Sequence, residues 1–161
     1  MRIETIIALA GGAAFATACA TTTTPASDAP LMIPDAQRGA VRSYMEDVLE
    51  IAAEDVWNVV AFNTSTDSEE NFGPSDAESW DEAAALSRRL AAHGEELVAL
   101  QFAYDEDDWP VYAQGVIDAA AASAAAAQAR DLGGFFAAGD VIYDACKSCH
   151  DHYKALLPRE E

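Results

Sequence analysis

In "CKSCH", Cys146 to His150, residue type and spacing together carry chemistry. The chain has three cysteines, and two of them stand three apart with a histidine directly after. Four accounts compete. A zinc site needs four ligands, for which Cys146, Cys149, His150 and His152 are the candidates. Cys149 and His150 are neighbours on one helix, so the four cannot converge on a tetrahedral ion without unwinding it. A C-x-x-C redox dithiol works at a helix N-terminus, where the dipole favours thiolate. This pair stands near a helix C-terminus, where the dipole opposes thiolate. Chance is a weak account of two cysteines at this spacing in an exported chain. A c-type haem attachment, C-x-x-C-H, fits without strain. Positions 146, 149 and 150 share a helical face, so two thioethers can hold the macrocycle while His150 presents its imidazole as proximal iron ligand.

The bulk of the chain bounds what can position that motif. Its 161 residues suit one domain with a core of its own. At 51% hydrophobic it lies well above a disordered composition. The formal net charge is −19, from 28 acids against 9 lysines and arginines. Such a surface excludes nucleic acid as a partner and repels anionic headgroups. A basic protein partner is the electrostatic complement. The same acidity also serves plain solubility.

Residues 1–18 read as an export leader: one arginine, a short apolar run at Ile6-Ile7-Ala8-Leu9, then small residues. The run is too short and too rich in Gly and Ala for a membrane span. Ala16-Thr17-Ala18 is an A-x-A cleavage site. With Cys19 it also resembles a bacterial lipobox, which would make Cys19 the lipidated first mature residue and tie the protein to the membrane from the periplasmic side. Residues 19–34 read as a flexible Thr/Pro-rich tether.

Four amphipathic segments follow, with no alternation of strand type. The first, about 35–62, repeats apolar residues at three and four: Val41, Met45, Val48, Leu49, Ala52, Val56, Val59 and Val60. The second, from about 75, opens with two overlapping capping boxes, Ser75 with Glu78 and Ser79 with Glu82. Ala83, Leu86, Leu90, His93, Leu97 and Leu100 make its seam. The third, about 109–130, has Pro110 in its first turn and Asp108 as cap, and is mostly alanine, which favours helix and close approach. The fourth, about 131–156, carries the motif. Four helices on short loops predict an all-α, antiparallel up-down-up-down four-helix bundle over 35–157, with 158–161 as a tail.

A four-helix bundle whose C-x-x-C-H stands on the last helix, followed by Tyr153 and Lys154, resembles the class II cytochromes c, the cytochrome c prime family. "CKSCHDHYK" matches that family's C-x-x-C-H-x-x-aromatic-basic pattern residue by residue. "MEDVLEIAAEDVW" in the first helix is a further likeness. The resemblance implies one covalent haem c, and it implies either of two functions. Members with a methionine early in the first helix are electron carriers. Members with an open sixth position bind small gases.

Met45 is the candidate distal ligand. It stands about 15 Å along the first helix and His150 about 9 Å from the end of the last, at about 1.5 Å per residue, so their depths agree. Core packing is what most such methionines do. His93, on the second seam, is the rival ligand. Trp109, Tyr112 and Val116 are candidate haem walls, and His152 is expected at the surface. The resulting expectation is a periplasmic mono-haem electron carrier that performs no substrate chemistry, with a basic redox partner, a lipid anchor at Cys19 and a homodimer as candidate associations. The alternatives are a five-coordinate haem binding nitric oxide or carbon monoxide, and a haem-free helical lipoprotein.

Overall fold

The computed structural model describes residues 31–60, 73–99 and 101–157. They form α1 (Asp35–Tyr44), a π-helical turn (Met45–Leu49), α2 (Glu50–Asn58), α3 (Ala77–Leu97), α4 (Asp108–Gln128) and α5 (Leu132–Leu156), with no strand among the described residues. Met45 and Leu49, at the junctions, both keep right-handed helical dihedrals, so α1, the π turn and α2 are one continuous rod. The predicted four helices are therefore present and pack against one another. The leader 1–18, Cys19, the tether up to residue 30 and the tail 158–161 lie outside the described residues.

Small side chains set the spacing of α3 and α4. Ala83, Ala84, Ser87 and Gly94 on one side face Ala119, Ala120, Ser123 and Ala127 on the other, all buried. A Cβ on Gly94 would come within 2.8 Å of the Ile117 side chain, so glycine is what this approach requires. Ser87 Oγ donates to the Ala83 carbonyl at 2.9 Å, and its hydroxyl lies 2.9 Å from that of Ser123. Ser123 then supplies the proton between them, and neither hydroxyl is left unsatisfied in the core. The predicted seam of α3 is turned: Leu86 and His93 are only half-buried, while Trp80, Ala84, Ser87 and Gly94 go inside.

The helix starts depart from expectation for a common reason. α3 begins at Ala77, so Asp76 becomes its cap. Asp76 accepts the Ser79 N–H at 2.8 Å, and Ser79 Oγ accepts the Asp76 N–H at 3.1 Å. This single box replaces the two expected ones, since aspartate caps as well as serine and its charge suits the dipole. At α4 the expected cap, Asp108, is already the first helical residue. Asp105 does the work instead: its Oδ1 accepts the N–H groups of Asp107, Asp108 and Trp109 at 3.1, 2.6 and 3.0 Å. At α5, Asp131 accepts the Gly134 N–H at 3.0 Å. A Cβ on Gly134 would lie 2.5 Å from that carboxylate. Arg130, with φ 54°, makes the tight turn from α4.

The first rod is tied to the rest at both ends. Leu31 N–H donates to the Leu156 carbonyl at 3.0 Å, and Gln37 Nε2 to the Ala103 carbonyl at 2.6 Å. Further along, Asp55 pairs with Arg89, and Trp57 Nε1 donates to the Gly139 carbonyl at 3.1 Å.

Candidate functional site

Between the first rod, α4 and α5 lies a cavity of about 510 Å³. This is within the range of small-molecule and cofactor sites, about 300–1,000 Å³. Met45, Leu49, Ala53 and Trp57 line it from the first rod, with Leu97 from the end of α3. Tyr112 and Val116 line it from α4. Tyr143, Cys146, Cys149 and His150 line it from α5. The structure thus brings the whole predicted set, Met45, Cys146, Cys149 and His150, around one space, although Met45 and the motif are a hundred residues apart in sequence. The spacing on α5 explains its share, because 143, 146, 150 and 154 fall on one helical face.

Both thiols are free, Cys149 buried and Cys146 half-buried. Burial pushes the Cys149 thiol up to about 12, with the neighbouring Cys146 and Asp105 adding to it. Burial raises Cys146 as well. These are protonated, apolar-walled thiols, unlike the thiolate of a redox dithiol. Among the described residues no group of three or more His, Cys, Asp or Glu side chains gathers in a metal-holding arrangement. A haem iron asks only one imidazole of this helix.

The rim carries charge. Lys147 and Lys154 both line the cavity, and they are the only lysines in the chain. Lys147 pairs with Asp151, and Glu50 stands on the opposite wall. Apolar walls with Lys154 and the Lys147–Asp151 pair at the rim fit a flat apolar group bearing carboxylates, as haem does. Neither lysine's position nor Trp57 and Tyr143 emerged as wall residues from the sequence. The helical spacing of Tyr143, Lys147, His150 and Lys154 is the signal that would have found three of them.

Other candidates fall elsewhere. His93 is not among the lining residues. Its Nδ1 lies 3.4 Å from Glu96, and its ring stands edge-on to Tyr44 at 6.5 Å. Trp109, expected as a wall, is buried and donates from Nε1 to the Leu97 carbonyl at 2.7 Å. His152, expected at the surface, is half-buried against Tyr112, with ring centroids 5.0 Å apart. Its Nε2 lies 3.3 Å from the Asp108 carboxylate without a well-aligned hydrogen bond.

Beside the cavity, an aromatic cluster braces the turn of α5 that carries His150. Tyr153 packs on Trp109 at 5.2 Å, Tyr104 at 5.5 Å and Tyr112 at 6.0 Å. Its hydroxyl donates to Asp105 Oδ2 at 2.6 Å. One carboxylate therefore caps α4 through one oxygen and holds the end of α5 through the other. Burial and the Asp105 carboxylate raise the Tyr153 hydroxyl well above its ordinary value, so it stays a donor.

No family model, no curated protein and no solved structure matches the chain, so the site is read from its own residues.

Proposed function

We propose that this protein is an exported mono-haem c-type cytochrome, similar to the class II cytochromes c, that carries single electrons and performs no substrate chemistry. The observation that carries the reading is the convergence of Cys146, Cys149, His150 and Met45 on one apolar cavity. Haem, when bound there, supplies the one-electron couple. The chain's own residues hold and tune it. Cys146 and Cys149 would be the thioether anchors, His150 the proximal ligand, and Met45 the soft sulfur for the sixth position. Lys147 and Lys154 would face the haem carboxylates. Leu49, Ala53, Trp57 and Val116 would give the haem apolar walls.

The proposed bundle runs up-down-up-down. Paired contacts support this, since partner numbers fall as residue numbers rise. Leu31 meets Leu156 and Trp57 meets Gly139. Tyr44 meets His93 and Asp55 meets Arg89. Trp109 meets Leu97 and Ser123 meets Ser87. In that arrangement the motif, Met45's half of the first rod and the α3–α4 loop share one pole.

Expression with a c-type maturation system is the test. The expected product is red, fractionates with membranes through Cys19, and shows the weak far-red ferric band of a sulfur–iron bond. Met45→Ala is expected to become high-spin, and His93→Ala to leave the spectrum unchanged. Colourless protein would end the cytochrome reading. A red, high-spin wild type indifferent to Met45→Ala would favour the gas-binding alternative.

The same pole carries Glu106 and Asp107, both exposed and free of the capping duty that Asp105 performs. We propose that they steer a basic redox partner. Steering charges act through a Debye length of about 8 Å at physiological ionic strength. Electron exchange with a basic partner should slow as salt rises, and Glu106→Gln with Asp107→Asn should flatten that slope. A double variant with the wild-type slope would move the docking surface elsewhere.

A further inference from the structure

The first rod holds one residue too many for a plain α-helix, and the surplus sits beside the cavity. An α-helix turns about 100° per residue, so Ala53 would stand about 80° round the rod from Met45, and Trp57 about 120°. Yet Met45, Ala53 and Trp57 all line one wall. The π turn reconciles them. The Glu50 N–H reaches back five residues to the Met45 carbonyl, and the turn absorbs one extra residue. Taking about 100° out of the count leaves both Ala53 and Trp57 within about 20° of Met45.

The rod is clamped on either side of this turn, so the surplus cannot slide away. Before it, the Tyr44 hydroxyl lies 2.9 Å from the His93 carbonyl and 2.7 Å from the Glu96 carboxylate, its proton shared between two acceptors on α3. Gln37 holds the Ala103 carbonyl further toward the same pole. After it, Trp57 Nε1 holds the Gly139 carbonyl of α5 at 3.1 Å. Each clamp fixes the rotation of its own half.

We propose that the π turn is a positioning device that keeps the Met45 sulfur on the cavity wall, with Tyr44 as its latch. The device rests on the cytochrome reading only in giving that sulfur an iron to meet. Inserting one alanine after Asp47, an exposed residue of the turn, adds a second surplus residue that the single π turn does not absorb. α1 then turns by about 100°, because its hold on α3 and the α3–α4 loop is lighter than the buried packing of Ala52, Ala53 and Val56 in α2. Tyr44→Phe is the milder variant: it keeps the ring against Phe102, at 4.6 Å, and removes both hydrogen bonds.

The test is the rate at which N-chlorosuccinimide converts Met45 to its sulfoxide, read by peptide mass spectrometry on the full-length, haem-loaded protein. Met32, 87% exposed, is the internal reference. In wild type Met45 should react several-fold more slowly than Met32. The insertion should bring the two rates together, and Tyr44→Phe should give part of that rise. The far-red band should weaken in step, with haem content unchanged. A faster Met45 with no spectral change would still support the device while removing Met45 as ligand. A Met45 to Met32 ratio unchanged in Tyr44→Phe and in the insertion would overturn it. If the insertion variant does not accumulate, Tyr44→Phe decides alone. A wild type without haem would overturn the cytochrome reading, and the ratio would still be measurable.

Discussion

Replacing Cys146 and Cys149 together by alanine should abolish covalent haem while the four rods still fold. Wild type should keep its haem through acid–acetone extraction, and the double variant should keep none. The fold is expected to survive because the change is small. Each substitution removes one sulfur from a partly filled cavity wall, and alanine is the better helix former. Circular dichroism should therefore retain its helical signal. Either single variant retains one thioether and should hold part of the haem covalently. Wild-type haem that extracts into acetone, or a double variant that still binds it covalently, would sink the assignment.

Replacing Asp105 should cause a large loss of stability. Its carboxylate accepts three backbone N–H groups at the start of α4 and the Tyr153 hydroxyl from the end of α5. Losing such a cap costs about 1 kcal/mol, and a half-buried hydroxyl left without its acceptor about 1–3 kcal/mol. Asp105→Ala should therefore cost about 3 kcal/mol in urea unfolding. A loss within about 0.5 kcal/mol would show that neither role matters. The effect also has a pH signature. Burial pushes the Asp105 carboxyl up, but the Tyr153 hydroxyl and the backbone N–H groups outweigh it and hold the group below the usual carboxylate range. The unfolded chain, near about 3.9, thus takes up the proton first. The contribution is complete above that value and disappears as pH falls through the lower folded one. Asp105→Asn should flatten the acid limb of the stability curve.

Much of this was legible from residue types and periods. Apolar spacing and punctuation by Pro, Gly and Asp located the four helices, because those signals repeat over many residues and outvote local exceptions. Met45 was singled out by the resemblance to the class II cytochromes c, and helix lengths in an antiparallel bundle put it at the depth of Cys146, Cys149 and His150. What was not legible depends on small energy differences or on partners distant in sequence. Ser75, Asp76 and Ser79 are all competent caps differing by a fraction of a kcal/mol, so the helix start decides among them. Asp105 and Asp108 look alike until Tyr153 arrives from α5. The π turn left no mark, since a seam at three and four tolerates a one-residue phase change. Ser87 and Ser123 read as polar until each is seen to satisfy the other. His93 sat on a seam whose true centre lies to one side, at Gly94.

The alanine-lined seam between α3 and α4 has a consequence for how the protein tolerates change. Alanine and glycine have no rotamers to lose, so the interface forms with almost no side-chain entropy penalty. Each contact is correspondingly shallow, and the seam draws its strength from the nearness of two backbones over many turns. Its tolerance is therefore one-sided. Trimming a methyl removes little, whereas adding one forces the helices apart along their length, since a small neighbour offers no conformer into which to retreat. Mutational drift in this protein should find the cavity wall permissive of larger residues and the alanine seam closed to them.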